Sequence, residues 1–88
     1  MEKILIVDDN EILRFTLTEL LEESGFQSKA VEDGLTALDE IRKNSYGLVI
    51  LDMRLPGMSG LEILRKIREK DAELPVIMLT AFGEIKTA

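Results

Sequence analysis

The apolar positions of this chain fall into two alternating patterns. Continuous runs occur at Ile4–Val7, Leu48–Leu51 and Val76–Leu79. Such runs suit strands buried on both faces, as in a parallel sheet. Between them lie amphipathic stretches. The first runs from about Glu11 to Ser24, with Leu13, Leu17, Leu20 and Leu21 at helical spacing, Asn10 placed to cap it and Gly25 placed to stop it. The second runs from about Leu35 to Lys43, with Leu35, Leu38 and Ile41 on one face and Asp33 as its cap. The third runs from about Gly60 to Lys70. Ser59 and Glu62 form a capping box there, and Leu61, Leu64 and Ile67 share a face. A weaker strand, about Gln27 to Val31, separates the first two helices. The order is β-α-β-α-β-α-β, with a last helix starting near Gly83.

Strands alternating with helices imply right-handed crossovers and a doubly wound parallel sheet of the α/β class. The flavodoxin-like strand order 2-1-3-4 is a common solution, and its ligands bind at the carboxyl ends of the strands, near the reversal in strand order. The acids of this chain lie there. Asp8 and Asp9 end the first run, Asp52 ends the third and Thr80 ends the fourth. Taken alone, Asp8, Asp9 or Asn10 is a helix cap, Asp52 a solvated strand end, Thr80 structural, and Pro56-Gly57 a turn. Their common position at one sheet edge changes that reading. Two unit charges 4 Å apart cost about 4 kcal/mol at an effective dielectric near 20. Protonation of one acid or capture of a cation relieves the repulsion.

Composition narrows the choice. The 88 residues contain no Cys and no His, which excludes disulfides, thiolate chemistry, Ser-His-Asp catalysis and His-ligated metals. A cation held by oxygen alone is Mg²⁺ or Ca²⁺, and Mg²⁺ characteristically shares itself with a phosphate. That suggests phosphoryl chemistry with an Asp nucleophile. The net charge of -6 argues against direct binding to nucleic acid or to an anionic membrane. The apolar runs are too short to span a membrane, and the start resembles no signal peptide, so a cytoplasmic location is expected. No G-x-G-x-x-G follows the first strand, so no dinucleotide site is expected.

VDDN at 7–10, LDMRLPGMSG at 51–60 and LTA at 79–81 together resemble the receiver domain of two-component response regulators. The resemblance covers nearly the whole chain and implies a role for each matching residue. Asp52 is the phosphoacceptor, taking its phosphoryl group from the phosphohistidine of a sensor histidine kinase. Asp9 binds Mg²⁺ directly, Asp8 assists through water, and Arg54 contributes its backbone carbonyl. Thr80 hydrogen-bonds the phosphoryl group and shifts with its loop, while Ala81 leaves room for the phosphate. Pro56, Gly57 and Gly60 shape the loop behind Asp52. Such a domain modifies and demodifies itself but is not a turnover enzyme. The ending TAFGEIKTA resembles receivers attached to transcriptional activators, which implies an output domain or effector.

The family continues through a further helix, a fifth strand ending in Lys with an aromatic switch residue, and a last helix. On this comparison residues 1–88 form a receiver incomplete at its C-terminus. Lys86 falls in the expected fourth helix and does not replace the family's lysine. Val76–Leu79 then becomes an exposed apolar edge open to self-association or complementation by another chain. Two other functions fit the same residues. One is a Mg²⁺-dependent phosphatase with an Asp nucleophile, although such enzymes place an acid where Arg54 stands. The other is an interaction or assembly fragment that is not phosphorylated.

Overall fold

The computed structural model describes residues 3–79 and the backbone of residues 85–87. The elements are β1 (Lys3–Val7), α1 (Glu11–Glu23), β2 (Ser28–Val31), α2 (Gly34–Lys43), β3 (Tyr46–Asp52), α3 (Gly60–Lys70), β4 (Val76–Leu79) and β5 (Ile85–Thr87). One sheet joins the strands in the order β2-β1-β3-β4-β5. The first four are parallel, in the flavodoxin-like order expected from the sequence.

Each helix begins where the sequence placed a cap. The Asn10 side chain accepts from the Leu13 N–H at 3.0 Å, Asp33 from Thr36 at 2.8 Å and Ser59 from Glu62 at 3.2 Å. Each cap satisfies a donor that the first helical turn leaves without a partner. Gly25 follows the end of α1 at φ +89°.

The main core lies between the sheet and the α2–α3 pair. Leu5, Val7, Val49, Leu51, Val76 and Met78 point from alternate strand positions toward Ala37 of α2 and toward Ile63 and Ile67 of α3. Ile63 and Ile67 are completely buried, worth about 1.5–3 kcal/mol each by transfer from water. Ile4 and Ile6 are buried on the opposite face, which α1 covers.

Three expectations need correction. The apolar faces of α2 and α3 pack as expected through Leu38, Ile41, Leu64 and Ile67, but not through their first members: Leu35 is 72% exposed and Leu61 59% exposed. Each follows the buried glycine that opens its helix, Gly34 or Gly60, and so stands on the side turned away from that contact. Leu20 of α1 is likewise exposed, and no α1 residue is fully buried. The second correction concerns the tail. A helix was expected near Gly83, yet Ile85–Thr87, with Lys86 inside it, form a strand. That strand runs antiparallel to β4, pairing Ile77 with Thr87 and Leu79 with Ile85. The third follows directly. The β4 edge is not open as expected, because an apolar edge with unpaired backbone groups is a template for any nearby strand, and the chain supplies one itself. Thr80, Ala81 and Gly83 lie outside the described residues.

Candidate functional site

The site forms where β1 and β3, neighbours in the sheet, reach their carboxyl ends. Asp8 follows β1 directly. Its N–H donates to the Val31 carbonyl at 3.1 Å, carrying the strand pairing one residue further. Its carboxylate Oδ1 accepts the Asn10 N–H at 2.8 Å, and its main-chain carbonyl accepts Nη1 of Arg14 at 2.8 Å. Asp8 is therefore held at three atoms and is buried, with 2% of its surface exposed. Asp9, next in the chain, is exposed.

Asp52 is the last residue of β3 and pairs in register with Leu79 of β4. Its Oδ1 accepts the Arg54 N–H at 3.0 Å, which turns the chain sharply away from the strand. The loop behind it is pinned at both ends: the Met53 N–H donates to Leu79 O at 3.0 Å, and the Gly60 N–H donates to Met53 O at 2.9 Å. Gly60 packs so closely on this segment that a Cβ there would stand 2.6 Å from Asp52 O and 2.6 Å from Met53 Cα. Gly57 holds φ +79°, a conformation that side chains disfavour.

Asp8, Asp9 and Asp52 each place a carboxylate oxygen within 4.8 Å of the others. The Asp8 carboxyl is pushed above its ordinary range, first by burial. The Asn10 N–H opposes this, the negative charges of Asp52 and Asp9 reinforce it, and Arg14 opposes it. Burial and like charges both favour the neutral acid. A hard divalent cation would reverse that balance, and an all-oxygen donor set of this kind fits Mg²⁺ or Ca²⁺.

Asp8, Asp9 and Asp52 lie together where the strand order placed them, and Pro56 and Gly57 lie in the loop that leads from Asp52 to Gly60, the first residue of α3. Arg54 is exposed and contributes its N–H to Asp52. Thr80 follows Leu79, whose register partner is Asp52, but Thr80 is outside the described residues. Arg14 was not singled out. In sequence it is one basic residue within an amphipathic helix, six positions from the carbonyl that it reaches. A groove of about 450 Å³, lined in part by Ile41, Asn44, Tyr46, Lys70 and Leu74, lies at the other end of the sheet and includes none of these acids.

In an open α/β sheet of this flavodoxin-like order, ligands bind at the carboxyl ends of the strands where the order reverses, and the three acids lie there. Residues 4–88 match the family model described as response regulator receiver domain, and this chain belongs to that family. It is 45% identical over 84 residues to sporulation initiation phosphotransferase F of Bacillus subtilis, covering 96% of this chain and 68% of the relative. It is 46% identical over 87 residues to the uncharacterized transcriptional regulatory protein YkoG of the same organism, covering 97% of this chain but only 38% of that protein. Among solved structures it is similar to response regulator TrrA of Thermotoga maritima in complex with Mg²⁺-BeF: 43% identity, TM-score 0.88, covering 92% of this chain and 70% of the other. TrrA in complex with histidine kinase ThkA matches at 42% identity and TM-score 0.89, covering 96% and 72%.

Proposed function

We propose that this chain is a phosphoryl-accepting signalling domain. The Asp52 carboxylate receives the group, and Asp8, Asp9 and Asp52 hold a Mg²⁺ ion. The observation that carries the reading is the convergence of these carboxylates within 4.8 Å at the end of β1 and β3. A Mg²⁺ held by Asp8, Asp9 and Asp52 would supply positive charge to offset the acids' repulsion and that of an incoming phosphoryl group. The Arg54 backbone carbonyl is a further oxygen donor in this reading.

The donor is a phosphohistidine of a sensor kinase, by analogy with TrrA and its histidine kinase complex. One Asp52 carboxylate oxygen forms a bond to phosphorus as the P–N bond to imidazole breaks, and the freed imidazole nitrogen takes a proton. The loop from Met53 to Gly60, pinned to β4 and to itself, holds the acceptor oxygen in place during the exchange. Thr80 would hydrogen-bond the transferred group, with Ala81 leaving space beside it, and so couple phosphorylation to a population shift in the following segment.

We read residues 1–88 as one receiver unit that modifies and demodifies itself rather than turning over a separate substrate. Its setting is cytoplasmic. An output role in transcription is supported by the similarity to YkoG, a transcriptional regulatory protein by name. Self-association through the β4 edge has lost its physical reason, since Ile85–Thr87 pair there.

Acetyl phosphate with Mg²⁺ tests the assignment. The expected product carries one phosphoryl group, detected by intact mass. It is absent without Mg²⁺ and absent in Asp52→Asn. Equal labelling of Asp52→Asn, or none of the parent chain, overturns the assignment. Sustained turnover of a phosphate ester would point instead to the phosphatase reading.

A further inference from the structure

We propose that Arg14 is a positioning residue for the cation site, acting through the main chain of Asp8. The inference rests on the metal-binding reading above. The Arg14 N–H caps the turn by donating to Asn10 O at 3.0 Å, while its guanidinium reaches back to donate to Asp8 O at 2.8 Å. The Asp8 carbonyl belongs to the peptide that joins Asp8 to Asp9. Because a peptide is planar, fixing its oxygen fixes the direction in which the chain leaves for Asp9. The Asp8 N–H is already tied to Val31 O and its carboxylate to the Asn10 N–H. The Arg14 bond removes the remaining rotation between two adjacent acids that must present oxygens to the same point. Arg14 is half-buried, so this bond is shielded from competing water.

Arg14 has a second effect of opposite sign. Its charge lies beside Asp8, and a fixed cation repels an incoming one. The two effects make opposite forecasts for removal of the side chain. If charge alone matters, Arg14→Met binds Mg²⁺ more tightly than the parent. If positioning dominates, it binds more weakly, by roughly tenfold or more, as for other residues that orient metal ligands.

The experiment is a titration with MgCl₂ alone, followed by backbone amide shifts of the 15N-labelled chain, on the parent, Arg14→Met and Arg14→Lys. Arg14→Met is expected to raise the Kd at least tenfold and to move the Asp9 and Asn10 amides before any metal is added. Arg14→Lys, which keeps a long donor, is expected to recover part of the affinity. Unchanged or tighter binding by Arg14→Met overturns the proposal, as does a failure of Arg14→Lys to recover any affinity. Failure of the parent to bind Mg²⁺ overturns both this inference and the metal reading beneath it. Parent binding with no loss in Arg14→Met overturns the inference alone. Should Arg14→Met fail to fold, the Arg14→Lys titration decides by itself, since only positioning demands a Kd above that of the parent there.

Discussion

The two ends of the sheet are built on opposite terms. At the amino end of β3, polar groups are matched. The Tyr46 hydroxyl donates to Glu40 Oε1 at 2.5 Å, Asn44 Nδ2 donates to the same oxygen at 3.2 Å, and Lys29 lies 4.0 Å from the other oxygen. Glu40 is accordingly held below its ordinary range, first by the Tyr46 bond. Arg68 closes the same end with a hydrogen bond to the Leu74 carbonyl. At the carboxyl end, three acids face one another, and the buried one is pushed toward its neutral form. One end therefore contributes to stability. The other carries like-charge repulsion that the proposed Mg²⁺ would offset, as is common where a site must be ready for a ligand.

This contrast breaks most visibly at Gly60. Gly60→Ala places a Cβ against main-chain atoms that cannot move aside. The expected loss is about 2–3 kcal/mol by urea unfolding, in the range of overpacked sites. Release of the Met53–Gly60 loop should abolish Mg²⁺ binding as well.

Asp8→Asn acts with the opposite sign. It removes one of the repelling charges and is expected to gain about 0.5–2 kcal/mol without metal, while losing the response to Mg²⁺. Its pH dependence sharpens the comparison. The folded-state pKa of Asp8 lies above its ordinary 3.8, so the folded chain holds this proton more tightly than the unfolded one. Its contribution is complete below the unfolded value and is lost as pH rises through the folded one. The stability gap between Asp8→Asn and the parent should therefore be small in acid and widen toward neutrality. A gap independent of pH would contradict the assigned strain.

At the amino end, Tyr46→Phe removes the hydroxyl donor of a buried side chain from a carboxylate, with an expected loss of about 1 kcal/mol and no change in Mg²⁺ response. The smallest effect belongs to Asp39→Asn. Its pairs with Arg42 at 2.6 Å and Lys43 at 2.9 Å are exposed, and exposed pairs are screened. Its urea midpoint should move least of the four.

The legible and illegible parts of the molecule divide along similar lines. Asp8, Asp9 and Asp52 could be read because each ends an unbroken apolar run, and a parallel sheet brings such ends together. Asn10, Asp33 and Ser59 could be read because capping is local. The helix faces were harder. Spacing placed Leu38, Ile41, Leu64 and Ile67 on the packed faces, but Leu35 and Leu61 share that spacing and are exposed, because how far the packed face extends along α2 and α3 is set by tertiary contacts that spacing alone does not contain. The strand Ile85–Thr87 depends on the edge of β4, contributed by residues that precede it by several positions. Arg14 and Tyr46 were invisible for a related reason: each acts on an atom six residues away through a side chain that could equally have faced solvent.

If the carboxyl end of the sheet trades stability for cation binding, Mg²⁺ must stabilise the folded chain through Asp52. The most direct test is the urea midpoint of the parent and of Asp52→Asn measured over a series of Mg²⁺ concentrations. The midpoint of the parent should climb with the logarithm of concentration once the site begins to fill, and that of Asp52→Asn should stay nearly flat. A parent midpoint indifferent to Mg²⁺, or an equal climb in both chains, would contradict it.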